Sequence, residues 1–192
     1  MSKVTNISLV GVGGQGTLLA SNIICEAAMQ AGLDVKKNEV HGMAQRGGSV
    51  VSQVRIGEKV FSPLVPDGAT DILISFEKLE ALRYAHFLAP GGVCYVNNQE
   101  IVPITVATGQ AKWPEDIDGE LAKIPNVKVI NALDEAKKLG NTKAVNIVML
   151  GTIAANTDID KEIWIEAIKK LVKPKFLELN LKAFEIGYAS AE

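Results

Sequence analysis

The chain has 192 residues, 47% apolar and 22% charged, and 20 Lys and Arg set against 22 Asp and Glu leave a net charge of −2, the make-up of an ordinary globular domain able to bury one sizeable core. So small a charge provides no field to gather a nucleic-acid backbone or an anionic membrane, and neither is expected as a partner. The most apolar stretch, residues 145–155, is interrupted by Asn146, Gly151 and Thr152 and falls short of the ~20 residues that span a bilayer; with no secretory pattern after Met1-Ser2-Lys3, a cytoplasmic location is expected.

In chain order, residues 7–10 form a short apolar run that stops at Gly11-Val12-Gly13-Gly14-Gln15-Gly16. A helical pattern follows to Gly32, with polar Asn22, Glu26 and Gln30 on one stripe and Leu19, Ile23 and Ala27 on the other. Residues 35–40 read as a second strand. The chain then passes through a loop, residues 41–48, into residues 49–56, which with a turn at Gly57-Glu58 read as a strand pair. Alternating α/β order resumes with a strand at 71–75, a helix at 77–88 with Leu79 and Leu82 inward, the Pro90-Gly91-Gly92 connection and a strand at 93–96. A short helix at 114–123, a strand at 127–130 and helices at 144–156, 161–172 and 175–188 complete the pattern. In the last, Leu177, Leu181, Phe184 and Tyr188 make one apolar stripe. Residues 1–192 are expected to be a single three-layer α/β/α domain with a mixed, mostly parallel sheet and a Rossmann-like opening unit. The small residues of 151–155 suit close helix packing, within the core in the first place or against a partner.

Gly11, Gly13, Gly14, Gln15 and Gly16 match G-x-G-x-x-G between a strand and a helix, where the turn can hold an anionic group against the helix N-terminus. Glu39, near the end of the second strand, stands where an acid would bind a ribose. NAD or FAD binding by a stand-alone oxidoreductase is therefore one reading, a noncatalytic nucleotide-binding regulatory domain is another, and glycines needed only for packing are a third. Gln45, Arg46, Gly47, Gly48 and Ser49 add a guanidinium fork and backbone donors suited to a phosphate or carboxylate. His41 is a possible acid or base beside that loop. Arg55 reads as a solvated strand residue and His86 as structural. Cys25 and Cys94 are the two cysteines, whereas an iron–sulfur cluster takes four thiolates and structural zinc four Cys or His ligands. No metal site is expected.

The residues Gly11 to Thr17, the run Val40-His41-Gly42-Met43-Ala44-Gln45-Arg46-Gly47-Gly48-Ser49-Val50 and Val54-Arg55-Ile56-Gly57 carry a specific likeness. They resemble the gamma subunit or domain of the 2-oxoacid:ferredoxin oxidoreductase family, most of all the small (beta) subunit of its indolepyruvate branch. The likeness continues through Ser62-Pro63-Leu64, Glu80-Ala81-Leu82-Arg83-Tyr84, Gly91-Gly92, Asn97 and residues 146–151. It implies a subunit of a complex that oxidatively decarboxylates aryl 2-oxo acids to acyl-coenzyme A and passes electrons to ferredoxin. It further implies a large (alpha) partner carrying thiamine diphosphate, Mg2+ and the iron–sulfur clusters. This chain, inactive alone and holding none of those cofactors itself, is then expected to complete the complex. Through the glycine turn and the loop 45–49 it would contribute to binding coenzyme A or to active-site access.

Overall fold

The computed structural model describes residues 4–40 and 47–190. β1 (Thr5–Val12) runs into the glycine turn, and α1 (Thr17–Gln30) leads to β2 (Asp34–Val40). Next come β3 (Ser49–Gly57), β4 (Thr70–Ser75), α2 (Lys78–Tyr84) and β5 (Leu88–Asn97). The short helices α3 (Ile104–Ala107) and α4 (Ile117–Leu121) precede β6 (Val127–Ile130). The chain finishes with α5 (Ala132–Lys138), α6 (Val145–Ala154), α7 (Lys161–Leu171) and α8 (Leu177–Ala189).

Among the described residues the six strands form one sheet in the order β2-β3-β1-β4-β5-β6. β1, β4, β5 and β6 are parallel neighbours, while β3 runs antiparallel to both β1 and β2. Alternation along the strands sends side chains to opposite faces. Ile7, Leu9, Ile72, Ile74 and Tyr95 enter a larger core with Ile23, Ile24, Trp164 and Phe184 from the helices. Val10, Leu73, Cys94 and Val96 enter a smaller one with Ala81, Ile117 and Leu121. Helices therefore cover both faces, and the expected three-layer α/β/α arrangement with a mixed, mostly parallel sheet is observed.

Every residue of α6 is buried, as expected for a helix apolar all round. It crosses α8 at Gly151 and Gly187, and a Cβ on either glycine would collide with the other helix's backbone. The small residues at 151–155 thus serve packing within the core. The expected stripe of α8 lies on the same core, with Phe184 buried and Leu177, Leu181 and Tyr188 packed around it.

Four local expectations are corrected. Residues 49–57 are one strand, β3, whose ribbon partner is β2, so no strand pair turns at Gly57-Glu58. The expected helix over 77–88 stops at Tyr84 and tightens into a 3-10 turn, Ala85–Phe87. Its buried residues are Lys78, Glu80 and Ala81; Leu82 packs on the smaller core as expected, but Leu79 is only half-buried, because the N-terminal turn of α2 is held by polar contacts instead of an apolar stripe. Pro90, Gly91 and Gly92 lie inside β5, where a register irregularity between Thr70 and Ile72 of β4 accommodates them. α3 and α5 had no counterpart in the expected order. α5 buries only Ala132 and Ala136, too little apolar surface to mark a helix by periodicity.

Candidate functional site

The chain leaves β1 through α1 onto the larger core's face and leaves β4 through α2 onto the smaller core's face. The two connections diverge between adjacent parallel strands, so a crevice opens at the carboxyl ends of β1 and β4, the usual ligand position in open α/β sheets. The glycine turn sits at its mouth.

Within that turn, Gln15 folds back on the backbone. Its Oε1 accepts from Val12 N at 2.7 Å, and its Nε2 donates to Phe76 O at 2.9 Å and to Gln99 Oε1 at 3.3 Å. Asn97 Nδ2 donates to the same two oxygens, each at 3.1 Å. These carboxamides tie β1, β4 and β5 together and fill the floor of the crevice. Gln15 is therefore committed to the protein itself. Gly16, at φ 86°, N-caps α1 without any side-chain cap and with no acidic residue in the first turn, which leaves helix N–H donors open. A Cβ on Gly16 would strike the carboxamide of Asn146, whose Nδ2 donates to Gly16 O at 3.3 Å. Glycine here answers both a left-handed backbone and a close neighbour.

The second predicted segment meets the turn through its backbone. Gly13 N donates to Gly48 O at 2.8 Å and Gly47 N donates to Gly13 O at 3.1 Å, continuing the β1–β3 ladder beyond the strands. Gly47, Gly48 and Ser49 thus share one edge with the glycine turn, at the start of β3. The Ser49 hydroxyl points elsewhere, donating to the Glu80 carboxylate and lying 3.0 Å from Tyr84 Oη. Glu80, buried, is also held by Arg83 Nε at 3.1 Å. His41, Gln45 and Arg46 lie outside the described residues.

Glu39, the candidate ribose acid, pairs with Lys37 at 2.7 Å and accepts from Ser21 Oγ at 3.0 Å. Arg55 is not a solvated strand residue. Its Nε donates to Asn6 Oδ1 at 2.8 Å and its guanidinium to the Ser62 and Leu64 carbonyls, each at 3.1 Å. His86 sits on the exposed 3-10 turn with its ring edge on Phe87. Burial pushes the Cys25 thiol up to about 11 and the Cys94 thiol up to about 12. A cluster needs thiolates, so this pair does not suit one, and no grouping of three or more His, Cys, Asp or Glu stands ready for a metal ion among the described residues. No helix among them is long and apolar enough to cross a membrane.

Beyond the turn, toward α6, a cleft of about 640 Å3 opens against Gly14, Gln15 and Gly16. Its further walls come from residues 141–146 and 171–180, with Gln99, Leu19 and Leu133 between them. Sequence reading missed Gln99, Lys143, Lys173 and Asn180 as possible site residues. None belongs to a motif, and only folding gathers them around the turn.

Comparison with known proteins places these features in a family context. The family model described as pyruvate ferredoxin/flavodoxin oxidoreductase matches residues 6–190. The indolepyruvate oxidoreductase subunit IorB of Archaeoglobus fulgidus is 47% identical, over 97% of this chain and 94% of its own. The subunit IorB of Thermococcus kodakarensis is 38% identical, over 99% and 97%. Among solved structures, the gamma subunit of a keto/oxoacid ferredoxin oxidoreductase from Geobacter sulfurreducens superposes with a TM-score of 0.74 at 28% identity, covering 97% of this chain and 98% of that one.

Proposed function

This chain belongs to the pyruvate ferredoxin/flavodoxin oxidoreductase family, and from that membership we infer that it is the small, gamma-type subunit of an indolepyruvate-type 2-oxoacid:ferredoxin oxidoreductase. Likeness running nearly end to end in both chains, at 47% identity to a subunit of that name, carries the reading. The whole of residues 1–192 acts as one such domain, in the cytoplasm, beside a large subunit. That partner binds thiamine diphosphate, Mg2+ and the iron–sulfur clusters, which supply the decarboxylation and the electron path to ferredoxin. The thiols of Cys25 and Cys94, raised by burial, support assigning the clusters to the partner.

The contribution of this chain is to binding. The backbone pairing of Gly13 with Gly47 and Gly48 brings the turn of Gly11, Gly13, Gly14 and Gly16 beside Gly47 and Gly48, the residues that follow Gln45 and Arg46 in the sequence. Arg46, adjacent in sequence to Gly47, is the residue assigned to an anionic group of coenzyme A. Gln15 and the hydroxyl of Ser49 hold the site together, Gln15 through Phe76 and Ser49 through Glu80. His41 is retained as a proton-transfer candidate at the same loop.

Reconstitution with the large subunit tests both levels. Viologen reduction driven by indolepyruvate and coenzyme A is expected to vanish when this chain is omitted. Arg46→Ala is expected to raise KM for coenzyme A about tenfold with assembly intact. Full turnover by the large subunit alone would overturn the subunit reading, and an unchanged KM would overturn the Arg46 assignment.

A NAD- or FAD-dependent enzyme is not favoured. The antiparallel β3 separates β2 from β1, Glu39 is engaged with Lys37 and Ser21, and Gln15 occupies the crevice floor.

A further inference from the structure

Two clefts at opposite ends of the sheet differ in charge. The one at the amino ends of β1 and β4, about 520 Å3, is lined by Glu58, Asp71 and Asp158 and by no lysine or arginine. The one beside the glycine turn, about 640 Å3, is lined by Lys143 and Lys173 and by no aspartate or glutamate. Many lysines elsewhere are held by acids, Lys78 by Glu100 and Asp118, Lys161 by Glu185 and Lys170 by Glu26, while Lys59, Lys128 and Lys175 lie over aromatic rings. Lys143 and Lys173 have no such partner among the described residues. In a chain of net charge −2, two unneutralised ammonium groups facing one concave, acid-free surface form a local anion site.

A buried carboxamide lines the same cleft. Asn146 is only 4% exposed yet lines it. Its amide nitrogen is used on Gly16 O, and its Oδ1 has no donor among the described residues. With its nitrogen committed to the turn, the carboxamide has its oxygen left to accept an N–H or O–H brought from outside. The uncapped first turn of α1 adds donors on one side. Leu19, Leu133, Val172 and Leu179 supply an apolar wall, and the volume lies in the range of organic-ligand sites.

We propose that this cleft binds a phosphate-bearing organic molecule, with Lys143 and Lys173 on the phosphate, Asn146 Oδ1 on a donor of its body and Leu19 and Leu179 against its apolar part. Two whole positive charges beside a helix N-terminus match a phosphate monoester or diphosphate better than a single carboxylate. The site shares Gly14 and Gly16 with the turn assigned to coenzyme A but rests on Lys143, Asn146 and Lys173 instead of Arg46.

Calorimetric titration of the full chain with inorganic pyrophosphate and with ADP tests it. Both are expected to bind saturably and to weaken with salt, ADP the more tightly because of the apolar wall. The double variant Lys143→Ala/Lys173→Ala, altered only at exposed side chains, is expected to bind about tenfold more weakly or worse. Lys143→Arg/Lys173→Arg is expected to restore binding, and Arg46→Ala to leave it unchanged. Equal binding by the double alanine variant, loss in Arg46→Ala, no saturable binding, or ADP binding no tighter than pyrophosphate would each overturn the proposal.

Discussion

A Cβ placed on Gly187 of α8 lands on the Val148 carbonyl of α6, and one on Gly151 lands on the backbone of Phe184 and Tyr188. The obstacles are main-chain atoms, so no rotamer change relieves them and the helices would have to part. Gly187→Ala is therefore expected to destabilise the chain by about 3 kcal/mol, the upper range for over-packing a core, measured by urea unfolding. A loss under about 1 kcal/mol would show that α6 and α8 separate easily. Gln15 illustrates a different residue-scale outcome. In sequence it stands in a ligand-binding motif, but its carboxamide satisfies Val12 N and Phe76 O, making it part of the frame on which the turn is built.

At the level of the element, α2 departs furthest from the usual logic of a surface helix. It buries Lys78 and Glu80 and begins at Glu77, which is 1% exposed. Glu77 accepts from Glu80 N at 2.9 Å and from Ile101 N at 3.1 Å, capping the helix and anchoring the segment after β5. Removal of both bonds in Glu77→Ala is expected to cost about 2–3 kcal/mol, a lost cap plus an orphaned buried N–H. Burial raises the Glu77 carboxyl above its ordinary 4.5, against the opposing backbone hydrogen bonds. A raised folded-state value means that stability is fully present below the unfolded value and is lost as pH rises through the folded one. The stability difference between the native chain and Glu77→Gln is accordingly expected to shrink as pH climbs above 4.5, measured by urea unfolding across pH. A difference that grows over that range would contradict the assigned direction.

For the molecule as a whole, one insertion in the strand order separates this fold from a dinucleotide-binding one. β3 lies between β1 and β2, so the end of β2 stands two strand spacings, roughly 9–10 Å, from β1. An acid at Glu39 is thereby moved away from a ribose at the β1 turn, and Ser21 and Lys37 already hold it. The adenosine diphosphate part of NADH suits the lysine cleft, so the dinucleotide reading is tested in Lys143→Ala/Lys173→Ala, where titration with NADH, followed by nucleotide fluorescence, is expected to show no saturable change. Saturable micromolar binding would revive the dinucleotide reading. Helices on both faces leave the carboxyl-end crevice as the natural place for a ligand or partner subunit, which is where the glycine turn and the Gly47–Gly48 backbone lie together.

Much of this architecture was legible in the chain. The apolar run before the glycine turn, the polar stripe of Asn22, Glu26 and Gln30, the strand at 127–130 and the stripe ending at Tyr188 are local patterns, and periodicity reports local structure directly. The motifs from Gly11 to Thr17 and from Val40 to Val50 carried the family likeness for the same reason, being contiguous. Only the tertiary structure decided that β3 slots antiparallel between β1 and β2 and that α2 turns Glu80 inward to meet Ser49. It alone gathered Lys143, Asn146 and Lys173 around Gly16. These depend on contacts between segments far apart in the chain, whose energies come from long-range pairing and desolvation; local sequence records neither which strand fills a gap nor which charge a neighbouring element will bury.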